Sequence, residues 1–120
     1  GIGEILLRKQ QANVHFNEKI YHNIDTMFEY VDKAMTNMVK LLSTVETPHE
    51  SDILTSYNTE RELNNKRNQL RTENITNINE NHYEYQAAIF YMDIVSCLEK
   101  TGDYIINVVD AVRTDFRNNN

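Results

Sequence analysis

Two carboxylates share one side of an apolar helix in the last third of the chain. Residues 93–112 predict this helix because their apolar side chains recur at spacings of three and four. Within it, Glu99 and Asp103 are four residues apart and therefore lie on the same side. Like charges at this spacing destabilise a helix by up to roughly 0.5 kcal/mol. We therefore expect a compensating partner opposite them.

A second pair with the same spacing, Glu60 and Asn64, belongs to the preceding predicted helix. If the chain reverses between residues 81 and 82, Asp103 lies level with Glu60, and Glu99 lies level with Asn64. The two pairs would then form one patch of three carboxylates and one amide.

Such an oxygen-rich patch requires cations, and two kinds fit it. The first is a hard divalent or trivalent metal ion such as magnesium, which prefers oxygen ligands such as carboxylates and amide carbonyls. The guanidinium groups of Arg67 and Arg71 are the alternative. The predicted metal ligands are Glu60, Asn64, Glu99 and Asp103.

Three long helices are predicted to position these residues, over about 4–46, 48–79 and 83–116. Thr47 followed by Pro48, and Asn81, are typical of helix starts. The first helix is predicted from three apolar rows with a spacing of seven. These rows are Ile20, Met27, Ala34 and Leu41; Tyr21, Phe28, Met35 and Leu42; and Ile24, Val31, Met38 and Val45.

Short connections between long helices predict an all-α, antiparallel up-down-up three-helix bundle. At 120 residues the chain forms a single domain, residues 1–120, with a frayed tail at 117–120. Because the sequence begins with Gly and enters a helical pattern at once, we expect an excised domain whose missing N-terminal part holds the membrane or catalytic machinery.

Composition excludes several classes of protein. A net charge of −6 argues against nucleic-acid binding, which needs a basic surface. No apolar run is long enough for a membrane span, so direct membrane insertion is not expected. The lone Cys97 cannot form an internal disulfide, so nothing indicates secretion. No nucleophile, base and orienting group come together, and we therefore expect no enzymatic activity.

The segment LEKTGDYIINVVDAV, residues 98–112, resembles the last helix of PhoU-like domains. The hallmark of that helix is an acidic E-x-x-x-D motif followed by Asn, which Glu99, Asp103 and Asn107 fit. Tyr104 stands where many family members carry His. The resemblance extends over roughly residues 20–113.

Residues 59–75 look like the preceding helix of the same family, where a second E-x-x-x-D motif is expected. Glu60 fits this motif, but Asn64 replaces its second acid. Both helices are most similar to the PhoU-like domain at the carboxyl terminus of bacterial sodium/phosphate cotransporter proteins.

This resemblance implies a regulatory domain that modulates phosphate uptake at the cytoplasmic face of the inner membrane. Its implied partners are the transmembrane part of the same transporter, a sister PhoU-like repeat or a second copy. Some relatives carry iron, zinc or another metal on the acidic motifs. Arg67, Arg71 and Asn107 would support the site or contact a partner.

A structural or dimerising helical module, without a metal or phosphate role, is the alternative function. In that case Leu7, Val14 and Tyr21 would extend a coiled-coil contact along the first helix. Gly102 lies inside the last predicted helix, where a Gly lowers helix stability by about 1 kcal/mol relative to Ala. It predicts a close approach by a neighbouring helix or a ligand.

Overall fold

Four α-helices make up the computed structural model, which describes residues 1–44, 46–80 and 84–119, with residues 116–119 described by their backbone alone. The described residues contain no strand, so the prediction of an all-α fold is confirmed. The helices are α1 (Ile2–Gln11), α2 (Glu18–Ser43), α3 (Glu50–Asn79) and α4 (Tyr85–Asn119). α2, α3 and α4 pack against one another, whereas α1 contacts only α4 among the described elements.

The prediction of one helix over 4–46 is wrong, because the chain breaks between α1 and α2. Asn13 adopts a left-handed backbone conformation with φ of 56°, which ends α1. The Asn17 side chain then accepts a hydrogen bond from the Ile20 amide at 2.8 Å and starts α2. Asparagine favours such positions because its side chain competes with helical backbone bonds. The three-helix bundle is therefore corrected to four helices.

The same break removes the predicted coiled-coil contact through Leu7, Val14 and Tyr21. Val14 lies in the connection and is only 3% exposed, so it is part of the core. Leu7 and Tyr21 are exposed but belong to different helices. A contact along the first helix therefore cannot use these three residues together.

α3 also starts later than its sequence predicts. The helix begins at Glu50 with His49 at its N-cap position, so Thr47 is not the cap. Pro48 is buried in the connection instead of occupying the first helical turn. The end of α3 at Asn79 agrees with the prediction. The predicted cap Asn81 lies outside the described residues.

α4 continues through Asn119, beyond the predicted end at residue 116. No Gly or Pro follows Gly102 to stop it. The core between the helices is mainly apolar, and Tyr91 is the largest fully buried side chain among the described residues. Its buried polar residues are Asn23, Ser56, Thr59 and Asn74.

Only some of the apolar rows of α2 face that core. The row of Ile20, Met27, Ala34 and Leu41 is buried, and so are Ile24, Val31 and Met38. Val45, the last member of that second row, lies outside the described residues. The remaining row, which we name the α2 outer row, is exposed. It consists of Tyr21, Phe28, Met35 and Leu42.

Candidate functional site

The candidate site lies between α3 and α4, at the height where Leu63 packs against Gly102. One turn further along, Arg67 contacts Glu99. Sequence spacing had placed Asn64 opposite Glu99, so the predicted register is wrong by about one turn. α4 begins at Tyr85, whereas the sequence predicted a start near residue 83.

Glu99 is held by two arginines of α3. Arg67 Nη1 donates to Glu99 Oε1, and Arg71 Nη2 lies 3.4 Å from Glu99 Oε2. The side chains of Arg67 and Glu99 are each 18% exposed, whereas Arg71 is 46% exposed. Each arginine thus takes one oxygen of Glu99, and charge-assisted hydrogen bonds of this kind are stronger than neutral ones. Guanidinium groups therefore neutralise Glu99 in this structure.

Glu60 and Asn64 form a separate pair on α3. Asn64 Nδ2 donates to Glu60 Oε1 at 2.8 Å, and both residues are half-buried. The amide thus satisfies one oxygen of the carboxylate along the same helix. This bond uses the i,i+4 spacing by which side chains on a helix meet.

Asp103 and Asn107 lie on the exposed side of α4. Across the described part of the chain, the Asp103 carboxylate has no hydrogen-bond or ion-pair partner. Nor do the described residues bring together three or more His, Cys, Asp or Glu side chains that could hold a metal ion. Of the four predicted metal ligands, Glu60 is hydrogen-bonded to Asn64, and Glu99 is paired with Arg67 and Arg71.

The metal site remains a prediction that thermal unfolding can test. If the arginines fill the role of the cation, we expect iron, zinc or magnesium to leave the melting temperature unchanged, within about 1 °C. A chelator should also have no effect. A rise of several degrees with one metal, lost in Glu99→Gln but kept in the exposed control Glu62→Gln, would instead establish metal binding at this site.

Gly102 allows the close packing of α3 on α4. A Cβ atom at this position would collide with the Cδ2 methyl of Leu63, which is 1% exposed. The sequence predicted that either a neighbouring helix or a ligand approaches Gly102, and in the structure it is the neighbouring helix α3. The glycine therefore serves helix packing.

A second polar cluster joins α3 to α4 near the opposite end of the interface. The Tyr57 hydroxyl donates to Asp110 Oδ1, and Arg113 Nη1 donates to the Tyr57 hydroxyl at 3.4 Å. The hydrogen bond with Tyr57 raises the pKa of the Arg113 guanidinium, which stays cationic. Sequence reasoning missed this cluster, although Asp110 and Arg113 share a helix face by their spacing of three.

Both of these polar clusters link α3 to α4. In the described ranges, no helix has an apolar stretch of the length that a bilayer crossing requires. No family model matches the chain. Comparison with curated proteins and with solved structures likewise finds no match.

Proposed function

We propose that this chain is a non-catalytic regulatory domain that acts by docking. The α2 outer row carries the proposal, because four large apolar side chains remain exposed in one line along a helix whose other rows are buried. Contiguous exposed apolar surface is uncommon in monomeric proteins and typically marks a contact with a partner. Arginine pairs and glycine packing hold the bundle behind this row together.

In its narrower form, the proposal is a PhoU-like domain of a sodium/phosphate cotransporter, working at the cytoplasmic face of the inner membrane. The E-x-x-x-D pattern of Glu99 and Asp103, with Asn107 after it, supports this form. The all-α bundle agrees with it at the level of fold class. Exposed Asp103 and Asn107 would be accessible to the transmembrane part of the transporter, to a sister repeat or to an ion.

Phosphate uptake tests this function. Uptake would be measured in cells that make the whole gene product, with and without these 120 residues, and in a Phe28→Glu variant. We expect the deletion to change uptake and Phe28→Glu to reproduce the change, because a charge on the outer row blocks docking. Ile75→Glu is the matched control, since Ile75 is 61% exposed on a different helix.

The variants must accumulate to equal levels for this comparison, which immunoblotting establishes. Uptake that is identical in all four strains would refute phosphate regulation. Uptake altered by the deletion but not by Phe28→Glu would keep the regulatory role and remove the outer row from it.

A further inference from the structure

A row of acids lies directly beside the α2 outer row. Its members are seven residues apart, and we name it the α2 acidic row: Glu18, Asp25 and Asp32. Each acid precedes a member of the outer row by three residues. Acidic and apolar side chains therefore alternate at spacings of three and four along one exposed face of the helix. The next position of the acidic row is Val39, where the face becomes wholly apolar.

The carboxylates of the acidic row are solvated and unpaired. Among the residues that the structure describes, none of the three takes part in a hydrogen bond or an ion pair. Glu18 lies in the first turn of α2, where the helix dipole favours an acid. Asp25 and Asp32 lie in the helix interior, and Asp25 is also four residues from exposed Glu29, which repels it. The dipole therefore does not account for these two acids.

The lysines near the acidic row lie elsewhere on the surface. Lys33 and Lys40 line a groove toward α3, and Lys40 pairs with Asp52 at 3.2 Å. Lys19 belongs to the same side of α2 by its spacing of seven and fourteen residues. Lys9 of α1 lies over an aromatic ring in the connection before α2, 4.6 Å from its centroid. The face that holds the outer row is thus apolar and acidic.

This face is poorly suited to a second copy of itself or to a wholly apolar partner. A parallel copy would place each acid against its own counterpart, and an antiparallel copy centred on the outer row would bring the two Asp32 carboxylates together. Juxtaposed like charges disfavour such contacts. A wholly apolar helix would cover Asp25 and Asp32 without giving them partners, and burial of an unpaired charge is costly.

From this pattern we propose that a basic amphipathic helix docks on the α2 outer row. Its apolar side chains pack on the row, and its Lys or Arg side chains reach Asp25 and Asp32, while their methylene stems cover apolar surface. Residues 21–42 span about 30 Å at 1.5 Å per residue, which calls for a helix of about 20 residues. This inference names the chemistry of the partner and rests on the proposed function for that surface alone.

Two designed helical peptides of about 20 residues test the charge of the partner. Both contain Leu at spacings of three and four, and the positions flanking the Leu stripe are Lys in one peptide and Glu in the other. Fluorescence anisotropy measures the Kd of each labelled peptide for residues 1–120. We expect the Lys peptide to bind at least about 10-fold more tightly, with a preference that shrinks as salt rises. Equal affinities, or binding of neither peptide, would overturn the proposal.

Charge reversal locates the preference on the acidic row. Asp25→Lys combined with Asp32→Lys should make the Glu peptide the tighter ligand. The double variant raises the net charge from −6 to −2, so the chain as a whole stays acidic and only the local charge is reversed. Glu62→Lys, at an exposed acid of α3, is the control and should keep the preference for the Lys peptide. A double variant that still prefers the Lys peptide would refute the role of these acids.

Truncation of Phe28 locates the apolar contact. Phe28→Ala should weaken binding of the Lys peptide by about 10-fold, because the ring no longer packs against the peptide. Ile75→Ala is the matched control on α3 and should leave the Kd unchanged, with equal helix content by circular dichroism in all variants. An unchanged Kd in Phe28→Ala would place the peptide elsewhere and overturn the proposal.

Sedimentation equilibrium tests the competing occupant, a second copy. We expect residues 1–120 to remain a monomer of 14.1 kDa up to about 100 μM. A dimer that Phe28→Ala dissociates would show that the row pairs with itself and would overturn the proposal.

Two outcomes separate this inference from the proposed function. If the peptide tests fail while Phe28→Glu alters phosphate uptake, the basic helix is refuted and the regulatory role stands. If the Lys peptide binds through both rows while uptake is indifferent to Phe28→Glu, the basic helix stands and the regulatory role is refuted.

Discussion

Truncation of Leu63 to Ala is expected to lower the free energy of unfolding by about 3 kcal/mol. Leu63 is 1% exposed and lies against Gly102, where α3 and α4 approach closely. Removing a buried leucine side chain costs about 2–5 kcal/mol, since it loses apolar burial and leaves a cavity. Urea unfolding followed by far-ultraviolet circular dichroism measures the change.

The sign of Gly102→Ala should depend on residue 63. In the wild-type chain its methyl group collides with Leu63, and overpacking costs of about 1–3 kcal/mol exceed the gain of about 1 kcal/mol in helix propensity. In the Leu63→Ala chain the methyl group enters the vacated space. There we expect Gly102→Ala to stabilise the protein by about 1 kcal/mol.

A double-mutant cycle over these two positions isolates their interaction. Gly3→Ala is the control for the glycine substitution, because nothing lies near a Cβ atom at Gly3 in α1. It should have the same effect in the wild-type chain and in the Leu63→Ala chain. An equal effect of Gly102→Ala in both backgrounds would contradict the packing role of the glycine.

Replacing Glu99 by Leu should cost about 2–3 kcal/mol. The substitution leaves the Arg67 guanidinium, whose side chain is 18% exposed, without its carboxylate. Removing one partner of a fully buried pair costs about 3–5 kcal/mol, and partial solvation of this pair lowers the value. Glu99→Gln should cost about 1 kcal/mol, because its amide oxygen still accepts a hydrogen bond.

Arg67→Met combined with Glu99→Leu should regain most of the lost stability, since it leaves no unpaired charge. The surface pair of Lys40 and Asp52 provides the matched comparison, because Lys40 is 65% exposed. Lys40→Met should change stability by less than about 1 kcal/mol. A vanishing coupling energy between positions 67 and 99, from chemical denaturation, would show that the ion pair does not stabilise the bundle.

The sequence predicted the class of the fold well because long helices leave a strong apolar period. Ile20, Met27, Ala34 and Leu41 are buried as a row with a spacing of seven should be. The period could not reveal the break at Asn13, because the buried Val14 continues the apolar pattern through a segment that is not helical. A single backbone conformation ended the helix there without interrupting its hydrophobic spacing.

The sequence also could not predict which apolar row of α2 is exposed. Phe28 and Met27 are both large and apolar, and only the placement of α3 and α4 decides that Met27 is buried. The composition of the candidate site around Glu99 likewise depends on the register of α3 against α4. The register of α3 against α4 brings Arg67, and not the predicted Asn64, into contact with Glu99.

The attachment of α1 has a consequence for the order in which the molecule comes apart. Among the described helices α1 contacts only α4, and Ile5 is its one buried residue. α2, α3 and α4 contact one another directly, without α1 between them. Its amide hydrogens should therefore exchange with solvent through subglobal opening, at a free energy below that of complete unfolding. Protected amides would remain in the other three helices while α1 detaches and returns.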